Sequence, residues 1–203
     1  MNTQIFLIAP QNADIETFPA QLGEAIDATY VSALLLTRGK RSEEEYEELA
    51  RAILPIAQDA GCAVLLDNMP ALAKSIGADG VHITSGINAF REALEMLKPD
   101  MIVGAGELHS RHDAMTKAEA GADYMFFGPI EGQGDRDPTA REEARWWSET
   151  FEVPAVYSNP DATLDDVDAE GCEFVAIAPS TWLTAEGPAA TLSAIAETLE
   201  DAE

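Results

Sequence analysis

Basic residues are scarce in this chain. Lys and Arg number 12 against 37 Asp and Glu, a formal net charge of −25 over 203 residues. Affinity for nucleic acid comes largely from cations on phosphates, so the imbalance argues strongly against that partner class. It argues equally against an anionic membrane surface. The acidity reads as a heavily solvated surface, with a specific acidic docking face as the alternative. Cysteine is almost missing: Cys62 and Cys172 each follow a glycine and lead into an apolar run. That is the pattern of buried free thiols in a reducing compartment. No apolar stretch approaches the ~20 residues of a membrane helix. The opening MNTQIFLIAP lacks a basic region and carries too short an apolar run for a signal peptide. The expectation is a cytoplasmic protein with no membrane and no nucleic-acid partner.

What is present is a repeated phrase. IGADGVHI begins at Ile76, AGADYMFF at Ala120 and EGCEFVAI at Glu170. Each places a glycine, a small residue and an acid ahead of an apolar run. Glycine just past a helix takes the left-handed conformation that ends it. A short continuous apolar run suits a strand covered on both faces. Further strand-like runs start at Ile5, Val31, Cys62, Met101 and Pro154. Helical patterns separate them. The clearest spans Ser42 to Ala60, with Ser42 and Glu45 as a capping box and Pro55 predicting a kink or break. Others begin near Met69, Ile87, Ser110, Thr139 and Pro188, with weaker patterns after Asp14 and Thr163.

Eight strand–helix units of about 25 residues predict an α/β fold, a (β/α)8 TIM barrel, as one domain over residues 1–203. The acidic tail from about Glu197 is expected to fray. An open doubly wound sheet is the rival, but APQNAD follows Ile8 where a dinucleotide fold would place G-x-G-x-x-G.

A barrel of this kind carries its chemistry at the C-terminal ends of the strands. That rule collects Arg38 and Lys40, Asp67 and Asn68, His82, Glu107 and His109. It also collects Gly128, Glu131, Gln133, Asp135 and Arg136 after the sixth strand, then Asn159, Ser180 and Thr181. Each has a plain alternative. Arg38, Lys40 and Arg41 suit solvated turn positions, Asp67-Asn68 suits a helix cap, and His82 suits a satisfied core histidine. His109 and His112 invite a metal reading, yet Ser110 and Asp113 mark a helix start and no third ligand is evident. Of the adjacent Trp146 and Trp147, at most one packs fully inward on a helix.

Two blocks carry a resemblance. AVLLDNMPALAKSIGADGVHI, from Ala63, and IVGAGELHSRHDAMTKAEAGADYMFFGPI, from Ile102, resemble segments of thiamine phosphate synthases and the related thiazole tautomerases. The resemblance independently implies the barrel. It implies an activity that joins a pyrimidine diphosphate to a thiazole phosphate with Mg²⁺, hence a phosphorylated small-molecule substrate. It places the family's Asn-Asp pair on Asp67-Asn68, in reversed order, with Asp67 as a relocated metal ligand. The second metal aspartate falls near Ile87, which cannot bind a metal. The loop Thr-x-Thr-Lys falls on Gln133 to Arg136, where only Arg136 keeps the charge. The Gly-Gly after strand seven falls on Asn159-Pro160. Pro179-Ser180-Thr181 keeps hydroxyls after strand eight. Arg38 and Lys40 match a basic pair, and His82 matches directly. Pro129 stands where thiazole tautomerases have a histidine, which disfavours that activity. Three readings follow: a synthase with an eroded metal and diphosphate site, a barrel enzyme of other specificity using Glu107 and His109 as acid and base, or a non-catalytic ligand- or partner-binding barrel.

Overall fold

Side chains alternate across a strand, so a run that is apolar throughout needs a cover on both faces. The structure, a computed structural model, describes residues 3–132 and 139–201. Its strands are β1 Gln4–Ile8, β2 Val31–Leu36, β3 Ala63–Asp67, β4 Gly80–Ile83, β5 Ile102–Ala105, β6 Tyr124–Phe127, β7 Ala155–Ser158 and β8 Phe174–Ile177. Neighbours pair in parallel all the way round, and β8 returns to β1 with Phe6 opposite Ala176. The sheet is therefore a closed (β/α)8 barrel, and the open doubly wound alternative falls.

Closure splits each run between two cores. Phe6, Ile8, Leu35, Leu65, Phe126 and Val156 fill the barrel interior. Their neighbours Ile5, Leu7, Leu34, Leu66, Met125 and Phe127 face a surrounding layer of helices. Those helices are α1 Phe18–Ala28, α2 Glu43–Asp59, α3 Pro70–Ile76, α4 Ile87–Leu97, α5 Arg111–Ala120, α6 Ala140–Thr150, a short α7 Pro179–Trp182 and α8 Pro188–Asp201. The indole of Trp182 donates to the carbonyl of Ile8 at 3.0 Å and pins α7 against β1.

The acids of the repeated phrase act as staples. Asp79 accepts the N–H of Val64 at 2.8 Å, Asp123 that of Val103 at 2.6 Å, and Glu173 that of Ala155 at 2.9 Å. Each ties the entry of an even strand to the start of the odd strand before it, satisfying a backbone donor the ladder leaves over. This explains why the phrase recurs on alternate strands. Gly77 and Gly121 end α3 and α5 in the left-handed conformation, as expected.

Several details depart from the sequence reading. α2 runs unbroken through Pro55, which lies on the exposed face together with Arg51, the residue whose carbonyl a proline nitrogen cannot serve. The pattern after Thr163 yields only a 3₁₀ turn, Leu164–Asp166. The chain then runs beside α6, held there by Glu170, whose buried carboxylate takes Arg141 and, at 2.5 Å, Arg145. That segment is too short and too acidic for an amphipathic helix of its own. Asp67 and Asn68 do not cap α3, which starts from Met69 without a side-chain cap. The acidic residues from Glu197 to Asp201 form the end of α8. Ser42 and Glu45 do form the capping box, and Ser110 caps α5 by accepting from the N–H of Asp113. Trp147 is buried, whereas Trp146 is half-buried beneath the guanidinium of Arg111. Both cysteines are buried free thiols, each pushed up to about 12 by burial.

Glycines set the interior's shape. A Cβ on Gly104 would lie 1.9 Å from the Tyr124 ring, and one on Gly106 would lie 2.3 Å from His82 Nε2. Bare backbone at Gly104 in β5 and at Gly106 just past its end is what admits both rings. Gly104→Ala is thus expected to cost about 1–3 kcal/mol by overpacking. The loss should shrink in a Tyr124→Leu background, measured as a double-mutant cycle by urea denaturation. Equal cost in both backgrounds would refute the steric account.

Candidate active site

The C-terminal ends of β3, β4 and β5 bring the first group of predicted residues together. Asp67 ends β3 with its side chain on the interior register, opposite His82. Asn68 follows at φ 52°, a left-handed position that asparagine tolerates. Its amide nitrogen donates to Asp67 Oδ1 and to Thr84 Oγ1, both at 2.6 Å. Its oxygen accepts from the N–H of Thr84 at 3.0 Å, the N–H of Ser85 at 3.3 Å and the Ser85 hydroxyl at 3.1 Å. Asn68 is therefore a rivet between the β3 and β4 loops, and its role is to hold Asp67. Thr84 and Ser85 escape sequence reasoning because their partner lies on a different loop.

Burial raises the pKa of Asp67 above its ordinary value, and the Glu107 carboxylate pushes in the same direction. The hydrogen bond from Asn68, the backbone N–H of Arg38 and the Arg38 charge oppose that rise. Arg38, Asp67 and Glu107 thus share one electrostatic neighbourhood. Glu107 is exposed and, at φ 50°, also left-handed. His109 is exposed two residues on, and its N–H donates to Asp113 at 3.3 Å. Lys40 is exposed and lines a groove of about 550 Å³ with Gln11, Asn12, Asp14 and Glu48.

His82 lies wholly inside the barrel. Its Nδ1 sits 2.8 Å from the Tyr124 hydroxyl, and its ring meets Phe126 edge-on at 5.1 Å. Burial, with the nearby Lys117 charge, lowers its pKa to about 3. The imidazole is neutral at any working pH. Tyr124 was legible only as part of an apolar run, since its partner lies 42 residues away.

The second group sits across the barrel. Gly128, at φ 104°, leaves room for β7: a Cβ there would meet the Ser158 carbonyl at 2.2 Å. Ser158 in turn donates to the Pro129 carbonyl at 2.7 Å. Asn159 and Thr181 line a crevice of about 10 Å³ with Asp168. Thr181 donates to the Ala162 carbonyl at 2.9 Å, and Ser180 to that of Pro160 at 3.2 Å. These hydroxyls tie α7 to the loop after β7. Gln133 and Arg136 lie outside the described residues.

Residues 5–178 match the model of the family described as thiamine monophosphate synthase. The chain belongs to that family. It is 31% identical to a thiamine-phosphate synthase of Rhodospirillum centenum over 94% of each chain. It is 32% identical to one of Erythrobacter litoralis, covering 89% of this chain and 88% of the relative. A solved thiamine phosphate pyrophosphorylase from Pyrococcus furiosus shares the fold at TM-score 0.81 and 18% identity, covering 98% of this chain and 96% of that one.

A synthase of this family implies a divalent cation, and the donor set tests that implication. Among the described residues no three His, Cys, Asp or Glu side chains converge as a metal centre. A resident all-protein site does not fit them. Mg²⁺ more often arrives with phosphate oxygens and takes only one or two carboxylates. Asp67 fits that demand, because a cation beside it would relieve the opposition of Glu107 and of burial to its ionisation.

His82 supplies a pH test. A histidine with a depressed pKa is neutral when folded and protonated when unfolded between about 3 and 6.5. Its contribution is complete above about 6.5 and declines as pH falls toward 3. His82→Gln should flatten the dependence of unfolding free energy on pH between 5 and 6.5 by up to about 1.4 kcal/mol per pH unit. Identical slopes for the two proteins in guanidinium titrations would exclude a buried neutral imidazole.

Proposed function

We propose that this protein is a thiamine phosphate synthase, joining a pyrimidine diphosphate to a thiazole phosphate at the mouth beside Asp67. The observation that carries the reading is relatedness along nearly the whole chain: 31% identity over 94% of both sequences to a thiamine-phosphate synthase. The mouth's chemistry supports it. In the joining step the bond from the pyrimidine methylene carbon to the diphosphate oxygen breaks, and its electron pair leaves on that oxygen. The thiazole nitrogen lone pair forms the new C–N bond, giving a thiazolium and free diphosphate. No proton moves, so a site whose histidine is buried and neutral is no handicap.

Asp67 is the residue that would hold Mg²⁺, and when bound the ion offsets negative charge on the departing diphosphate. Asn68 orients Asp67, and Arg38 places a positive charge at the same edge. Arg136 and Gln133 are assigned to the diphosphate by their place in the family pattern. Asn159, Ser180 and Thr181 are assigned to the phosphate side by the same pattern. Lys40 belongs with Arg38 by sequence position. Two buried free thiols and the lack, among the described residues, of any helix long and apolar enough to cross a membrane favour a cytoplasmic location.

The test combines purified protein with both precursors and Mg²⁺, reading thiamine phosphate and released diphosphate. Product should form at a rate proportional to enzyme, and Asp67→Asn should lower kcat/KM roughly a hundredfold. No product at high enzyme concentration would retire the synthase reading, and an undiminished Asp67→Asn rate would retire the role of that carboxylate.

A further inference from the structure

We propose that the buried Lys117 and the half-buried Asp113, both on α5, form a clamp that positions the Gly106–His109 turn and so holds the Glu107 carboxylate at the mouth. The inference rests on the synthase reading for its catalytic consequence, but not for its structural content. Lys117 is 1% exposed, an unusual place for an ammonium group. Its Nζ donates to the Gly106 carbonyl at 3.2 Å and pairs with Asp113 Oδ2 at 3.1 Å. The same Asp113 oxygen accepts the N–H of His109 at 3.3 Å. One ion pair therefore grips the turn at both ends. Between the grips Glu107 sits at φ 50°, a backbone state that glutamate rarely takes unaided.

The pair is also more than the helix needs. α5 is already capped by Ser110 at its start and ended by Gly121. An exposed i,i+4 pair would serve helix stability without the expense of desolvation. Burying the cation under the turn is intelligible if the Gly106 carbonyl is its target. Leu108, packed against the outer core, anchors the turn's middle, and Glu107 and His109 on either side of it are exposed.

Two variants separate positioning from mere charge balance. Lys117→Met keeps the length and removes the charge. Lys117→Met with Asp113→Asn also removes the carboxylate left behind while keeping an oxygen for His109. The readouts are melting temperature, hydrogen exchange across residues 106–109, and steady-state kinetics. The expected result is a double variant that melts within about 3 °C of the parent, while exchange at residues 106–109 rises about tenfold or more and exchange in β1 and β8 stays unchanged. In the synthase assay kcat should fall about tenfold with KM within about twofold.

Parental exchange across 106–109 in the folded double variant would overturn the clamp. So would slow exchange in Lys117→Met alone. If Lys117→Met alone fails to fold, the double variant decides. A parent protein with no synthase turnover would overturn the proposed function, and the exchange measurement would still settle the clamp.

Discussion

A closed ring of parallel strands has no free edge, and every strand in it is buried on both faces. That constraint organises the rest of the molecule. It requires apolar residues at consecutive positions of each strand, which is why runs such as YMFF and VSALLL are continuous. It also creates an interior of fixed volume. Rings from Phe6, His82, Tyr124 and Phe126 meet there edge to face or stacked. They fit because the chain offers bare backbone at Gly104 in β5 and at Gly106 just past its end. Interior packing and loop geometry are coupled, since the same strands that hold the rings end in the loops of Asp67 and Glu107.

The scarcity of cations gives the structure a second logic. Several of the described basic residues are occupied internally. Arg41 donates to the carbonyls of Gln11 and Ala13, Arg141 and Arg145 close on Glu170, and Lys98 pairs with Asp123. Lys117 is buried against Asp113. In a chain of net charge −25 these contacts hold acidic loops in place where repulsion would open them. On the proposed function, a mouth that receives phosphates in such a field would depend on the few cations near it, and the Arg38 charge acts directly on Asp67.

Fold and site differed in how far they could be read from the chain alone. The strands, the capping box at Ser42 and the glycine stops at Gly77 and Gly121 are local events, written in adjacent residues. The repeated glycine–small–acid phrase was legible as a pattern, but its purpose was not. Asp79, Asp123 and Glu173 reach residues 15 to 20 positions earlier in the chain. The strand-end rule names Arg38, Asp67, Asn68 and Glu107, which the structure brings into one neighbourhood because barrel topology sends all strand ends to one face. It passed over Thr84, Ser85, Tyr124 and Lys117, whose meaning lies in a partner on another element. The break offered at Pro55 and the helix offered after Thr163 did not form, for the opposite reason. Local rules applied there, and an exposed helix face in one case and a clamp on α6 in the other overrode them.

The sequence alone determined the alternation of strand and helix, the apolar character of both strand faces and the acidity of the surface, since each depends on residue type and near-neighbour spacing. Tertiary structure decided that His82 is a sealed, neutral ring and that Asn68 is a rivet rather than a cap. It also decided that Lys117 lies beneath the loop of Glu107. Those outcomes hang on burial and on contacts between residues far apart in the chain, and such contacts exist only once the ring has closed.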